Sequence, residues 1–230
     1  QIAIDGPAGA GKSTIAKLLA ERKGFIYVDT GAMYRGLAWY FLTKGIRPDD
    51  EEAVTKACEE VKIDIAYENG KQQIYVNDKN ITDHLREEAV GNMASKSSAV
   101  PAVRARLLEL QRDLARREDV VMDGRDIGTS VLPDADVKIF LTASVDTRAG
   151  RRYNELLGKG ESCDYAQIAA DIEERDRRDM TREISPLCRA EDAELIDSSE
   201  MTIEEVVEKI ESFCRCLLYT SDAADDLIGV

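Results

Sequence analysis

Apolar and polar positions change period repeatedly along this chain, and each change marks an element. Ile2-Ala3-Ile4 is an apolar run of strand length, and Ile15, Leu18 and Leu19 follow it at the i, i+3, i+4 spacing of one helix face. Phe25-Ile26-Tyr27-Val28 predicts a second strand ending at Asp29-Thr30-Gly31, with helices over 32–42 and 49–58. Between 61 and 81 the period drops to two. Ile63, Ile65 and Tyr67 alternate, Asn69-Gly70 is a strong hairpin turn, and Ile74 and Val76 alternate again, so a small antiparallel sheet is predicted there as an insertion. Pro101 suits the first turn of a helix striped by Val103, Leu107, Leu110 and Leu114. Val120-Val121-Met122 predicts a buried strand running into Asp123-Gly124-Arg125-Asp126, and 137–141 predicts another. Asp164 with Gln167 forms an N-terminal cap for a helix carrying Ile168 and Ile172; Leu195-Ile196-Asp197 is a last strand. Thr202 with Glu205 is a capping box for the helix bearing Ile203, Val206, Val207 and Ile210. Five core strands alternating with helices predict an α/β fold with a mostly parallel sheet, helices on its faces and an antiparallel β insert.

Length and charge narrow the partners. The 230 residues suffice for one α/β domain with insertions, and 43% hydrophobic content suffices for its core. No run approaches a membrane span, so no membrane partner is expected. A formal charge of −14 repels polyanions, so no nucleic acid polymer is expected either. Cys58, Cys163, Cys188, Cys214 and Cys216 make an odd set without a C-x-x-C pair, which argues against a disulfide framework and a structural zinc site and fits a reducing cytoplasm. His84 is the only histidine, which leaves little for a Ser-His-Asp triad. A monomer is expected. The start at Gln1, directly before the first strand, suggests that a few residues precede it, and 215–230, without a stripe, is expected to be a non-native or disordered tail.

The chemistry opens at Gly6-Pro7-Ala8-Gly9-Ala10-Gly11-Lys12-Ser13, with Thr14 next. This is the phosphate-cradling pattern G-x-x-x-x-G-K-[ST], set between a predicted strand and a predicted helix. Its glycines free the backbone to wrap a phosphate, and successive N–H groups and the helix N-terminus face the anion. Lys12 would reach the β/γ oxygens of ATP, and the Ser13 hydroxyl would ligate Mg²⁺.

Transfer of a phosphoryl group to an anionic acceptor needs a second cationic site, because two polyanions repel unless fixed charges compensate. In the helix after Asp164, Ile168 and Ile172 are followed at the same helical phase by Arg175, Asp179 and Arg182, with Arg178 adjacent. The stripe that begins as core ends as charge, which would carry the helix over a cleft; a solvated end laced by Arg-Asp pairs is the plainer alternative. Arg148, Arg151 and Arg152 after the fourth strand share that ambiguity. Asp123 sits at the carboxyl end of a strand, where it could orient Mg²⁺ through water or hold a sugar or base, and Arg125 could reach a phosphate.

Taken together, the loop Gly6 to Thr14, Asp29-Thr30-Gly31-Ala32-Met33-Tyr34-Arg35, Asp123-Gly124-Arg125-Asp126-Ile127-Gly128-Thr129 and Glu174-Arg175-Asp176-Arg177-Arg178-Asp179 with Arg182 resemble the bacterial cytidylate kinases, in their order and spacing, from Ile2 to about Phe213. The resemblance implies a three-layer P-loop kinase fold with a short lid, and ATP-dependent phosphorylation of CMP and dCMP. It divides 1–214 into a core (1–60 and 95–214), a monophosphate-binding insert (61–94) and a lid (150–163). It further implies that Thr30 and Arg35 contact the acceptor, with Arg35 and Arg125 on its phosphate. Ser95, Arg104, Asp126 and Arg182 would lie around the cytosine, Arg175 and Asp179 near the ribose, with Arg178 beside them, and Arg151 near the transferring phosphoryl. Lys12, Asp123, Arg125 and Arg151 form the expected catalytic set. An N-K-x-D segment, which a GTPase switch needs, and an L-S-G-G-Q segment, which an ABC-type ATPase needs, are both absent from the sequence. A kinase of another small acceptor on the same fold is the closest rival.

Overall fold

In a computed structural model, which describes residues 1–225 and the side chains as far as Arg215, five parallel strands form the central sheet. They are β1 (Ile2–Asp5), β2 (Ile26–Asp29), and three later strands, Val120–Gly124, Val137–Thr142 and Glu194–Asp197. Three short strands between them, β3 (Ile63–Glu68), β4 (Lys71–Val76) and β5 (Lys79–Asn80), make a separate antiparallel sheet, so the later core strands are β6, β7 and β8. The core order is β2-β6-β1-β7-β8. β1 lies at the centre, hydrogen-bonded to β6 on one side and β7 on the other. The chain leaves β1 in one direction for β2 and later crosses to β7 and β8, and at such a reversal the loops at the carboxyl ends part to leave a crevice. The register brings the functional residues to one level: Asp5 lies opposite Gly124, and Asp29 opposite Asp123.

Helices cover both faces. α1 (Lys12–Lys23) packs Ile15, Ala16 and Leu19 on one face beside Val206, Val207 and Ile210 of the last helix. On the other face α2 (Thr30–Thr43) buries Met33, Leu37 and Phe41 against β2 and β6. α3 (Glu51–Glu60), α4 (Glu88–Ser97) and α5 (Pro101–Arg117) complete that layer. α2 begins two residues before the expected helix because the Asp29 carboxylate caps it, accepting from the Ala32 N–H at 2.8 Å. α4 is absent from the sequence reading, since only Val90, Met93, Ala94 and Ser97 mark its buried face and two of those are small or polar.

The antiparallel sheet lies on α2. Gly36 makes the approach possible: a Cβ there would stand 2.9 Å from Ile74 Cγ2 and 3.2 Å from Ile63 Cδ1. The Gln72 amide then bonds both backbone groups of Asp29, and the Tyr67 hydroxyl donates to the Tyr27 carbonyl, so the sheet grips the edge strand β2. The Asn69-Gly70 turn has both residues at positive φ, as its hairpin type requires.

α6 (Val145–Gly158) and α7 (Tyr165–Thr181) stand over the carboxyl end of the sheet. Asp164 caps α7 by accepting from the Gln167 N–H at 2.9 Å, and Thr202 and Glu205 close their capping box at the start of α8 (Ile203–Asp225). Arg22 reaches from α1 to Glu204. Of the segment 215–230, residues 215–225 continue α8 as helix through Asp225, and 226–230 lies outside the described residues. Among the described residues no helix is long and apolar enough to cross a membrane.

Candidate active site

β1 ends at Asp5 and the chain turns at once into the loop 6–11. Gly6 takes φ 148°, and any Cβ there would collide with the Leu141 carbonyl oxygen of β7. Gly9 and Gly11 take φ 77° and 91°, and Gly11 hands the chain to α1 without a side-chain cap, leaving the helix N-terminus open to an anion. The Lys12 ammonium is buried and donates to the Pro7 carbonyl at 2.7 Å, bridging the loop on itself. Burial, with Arg125 next, pushes this ammonium down to about 7. Ala8 and Thr14 flank the loop at its rim, the first half-buried and the second exposed.

Asp123, on β6, is the meeting point beside that loop. Its Oδ2 accepts from the Ser13 hydroxyl at 3.0 Å, its Oδ1 from the Tyr27 hydroxyl at 2.9 Å, and its carbonyl from the Thr30 hydroxyl at 2.7 Å. Burial pushes the carboxyl up to about 6, and the Asp29 charge pushes the same way. Thr30 is thus held inside, at the start of α2.

On the far side of the crevice, α7 turns its charged phase inward. Asp179 is buried and accepts from Arg125 Nε at 2.9 Å. The Arg35 guanidinium bonds Asp29 at 2.9 Å. Among the described residues the buried Nε groups of Arg35 and Arg175 make no hydrogen bond, and that of Arg178 has only the Glu174 carboxylate, 3.7 Å away, so this wall holds donors that no protein acceptor satisfies. Burial and then Arg125 push Arg175 down to about 10, and both arginines act electrostatically on Lys12.

A third cluster adjoins the second. Asp126 pairs with Arg104 through one oxygen and with Arg182 through the other at 3.4 Å, and all three side chains are buried. Arg104 lies over the Tyr34 ring, 5.7 Å from its centre. Ser95, from α4, has a buried hydroxyl without a partner, and with Ser98, Arg178, Asp179 and Arg182 it lines a cleft of about 350 Å³. A larger hollow, about 680 Å³, opens at the other end of the sheet around Gln1, Arg116 and Asp136; it is shallow and far from these groups.

Two arginines of α6, Arg148 and Arg151, are anchored and do not stand free over the crevice, whereas Arg152 is exposed and pairs with Glu155 of the same helix. Arg151 donates to the Ser198 carbonyl at 2.8 Å and to the Ala10 carbonyl at 3.4 Å. Arg148 is buried and spans three segments, donating to the Ala8 carbonyl and the Ala143 carbonyl, both at 2.9 Å, and pairing with Asp176 of α7 at 2.6 Å. Sequence reasoning gave Arg148 no definite place, and it gave no role to Tyr27, Gln72 or Asp5. Tyr27 and Gln72 carry no local signal, because each acts on a strand distant in sequence.

Comparison with known proteins gives the family. The family model described as "Cytidylate kinase" matches residues 2–215. The cytidylate kinase of Caldicellulosiruptor saccharolyticus is 48% identical over 209 residues, covering 91% of this chain and 92% of that protein. That of Lactiplantibacillus plantarum is 50% identical over 210 residues, covering 91% and 92%. Among solved structures, an uncharacterized protein from Eubacterium ventriosum superimposes with a TM-score of 0.52 at 14% identity, covering 92% of this chain and 96% of that one, a likeness of fold.

Proposed function

The chain belongs to the cytidylate kinase family of phosphotransferases, and from that premise we propose that it moves the γ-phosphoryl group of ATP onto the phosphate of CMP or dCMP, yielding ADP and CDP or dCDP. One observation carries the reading: among the described residues three arginines have buried Nε groups that make no hydrogen bond, and Arg175 stands within electrostatic reach of the other two and of Lys12 in the phosphate loop, which bonds a single carbonyl. Such a wall is short of anions, and a nucleoside monophosphate beside a triphosphate supplies them.

In this reading the loop 6–14 holds ATP through its amides and the N-terminus of α1, and Lys12 leaves the Pro7 carbonyl for the β/γ oxygens. Arg35 and Arg125 take the acceptor phosphate, Thr30 contacts the acceptor, and Arg175 and Asp179 lie near its ribose with Arg178 beside them, Asp179 also holding Arg125. Ser95, Arg104, Asp126 and Arg182 surround the base. Arg151 stiffens the loop from behind through Ala10, on the side of the transferred group.

The Ser13 hydroxyl and the Asp123 carboxylate are two hard oxygens 3.0 Å apart beside the loop, and Mg²⁺ would be held there by Ser13, with Asp123 orienting it through water. When bound, the ion neutralises charge on the β- and γ-phosphates. The protein's own part is positional and electrostatic: it aligns an already anionic acceptor oxygen with the γ-phosphorus, spreads positive charge around the group in flight and excludes water. No side chain need act as a strong base.

Chromatographic analysis of the products tests the reading. ADP and CDP should form one for one, with little ADP when CMP is omitted. Release of ADP and inorganic phosphate without CDP would contradict it.

A further inference from the structure

Asp5 is the last residue of β1, one position before the phosphate loop, and the loop pattern itself requires no acid there. Its carboxylate is 5% exposed, and both oxygens are committed to a different segment. Oδ1 accepts from the Ile127 N–H at 2.8 Å and Oδ2 from the Gly128 N–H at 2.7 Å. These are the opening N–H groups of a π-helical turn, Ile127–Val131, and no residue intervenes between them and Asp126. The carboxylate is therefore a cap supplied from a distant strand. The turn is pressed close: a Cβ at Gly128 would stand 3.5 Å from Asp5 Oδ2 and 3.3 Å from Lys138 Cδ. Keeping a carboxylate in this place is costly, since burial outweighs the two N–H bonds and pushes the group up to about 6. A group retained at such a cost has its use in what it holds.

We propose that Asp5 is a positioning residue for acceptor selection: by clamping the Ile127 and Gly128 N–H groups to the end of β1, it fixes the backbone on which Asp126 stands, and with it the edge that Arg104 and Arg182 complete for the acceptor base. The inference rests on the cytidylate reading of the site. Cytosine and uracil differ by an amino donor in place of a carbonyl acceptor, and a buried carboxylate-arginine edge separates them only while its direction is fixed. Because Asp5 adjoins Gly6, the same residue gives the donor loop and the base-reading turn a common anchor.

The test compares CMP with UMP in the wild-type enzyme and in Asp5→Asn and Asp5→Ser, neither of which presents two acceptors to the paired N–H groups. The ratio of kcat/KM for CMP over UMP should fall by at least about tenfold in a variant whose ATP affinity, measured without acceptor, stays within about twofold of wild type. A merely structural loss would lower the active fraction for both acceptors and leave the ratio unmoved; that result would overturn the assignment. Amide exchange in the wild-type enzyme needs no variant to fold: CMP should protect the Ile127 and Gly128 N–H groups more than UMP does, and equal protection would overturn it as well. If the wild-type enzyme shows no preference for CMP, the cytidylate reading itself fails, whereas a preference that survives both substitutions removes the role of Asp5 alone.

Discussion

Lys12 concentrates the chemistry at the scale of single residues. It is buried and, among the described residues, hydrogen-bonds only the Pro7 carbonyl, so a positive charge there is poorly supported until an anion arrives. Lys12→Ala should lower kcat by about 10²–10³ while leaving the melting temperature near that of wild type, and near-normal turnover would refute its role. Linkage fixes the sign of a second effect. The ammonium is lowered from 10.5 to about 7, so the stability it contributes is present above 10.5 and is lost as pH falls toward 7. Asp5 and Asp123, both raised to about 6, contribute stability at low pH that is lost as pH rises through 6, and they are ionised by pH 8. A triphosphate restores the charge of Lys12, so ATP binding near pH 8 should take up a proton. Calorimetry in buffers of different ionisation enthalpy would show that uptake, and it should vanish in Lys12→Met; binding with no proton exchange in the wild-type enzyme would count against it. The Gly6–Ser13 loop was legible at this scale because its residue types are dictated by backbone geometry, as Gly6 beneath the Leu141 carbonyl shows. Asp5 carries no such local signal, since its partners lie more than a hundred residues away.

At the scale of elements, α7 converts a core stripe into a charged wall. Ile172 and Asp179 occupy the same phase and are both buried, so the sequence pattern that predicted the helix also predicted where its charges point. Asp179→Ala would release Arg125 and should raise the KM for CMP by about tenfold or more with little change in ATP affinity; equal losses for both nucleotides would argue against that placement. Arg148 joins α6, the phosphate loop and α7, and its removal leaves the half-buried Asp176 without its partner. Arg148→Met should therefore destabilise the protein by about 3–5 kcal/mol in a denaturant titration, and a loss below ~1 kcal/mol would show the bracket to be dispensable. The capping boxes and the Asn69-Gly70 hairpin could be read directly because their signals are local. α4 could not, since its buried face is partly small and polar, and the last helix continued past the end of its apolar stripe.

For the whole molecule, strand order decides what can meet. With β1 central and the chain reversing around it, the loop after β1, the turn after β6 and the start of α2 converge at one end, and α7 closes over them. The alternation of strands and helices predicted the sheet; the order β2-β6-β1-β7-β8 could not be read from periodicity, which carries no information on which strands pair. The insert shows the same division, with its hairpin plain in the sequence and its grip on β2 through Gln72 and Tyr67 visible only in three dimensions. That convergence is what supports the proposal that a donor and an acceptor anion lie end to end. Initial rates with ATP and equal concentrations of CMP, dCMP, UMP, AMP and shikimate test it most directly. CMP and dCMP should be phosphorylated well ahead of the other three; preferential phosphorylation of AMP or shikimate, or none of CMP, would contradict the cytidylate assignment.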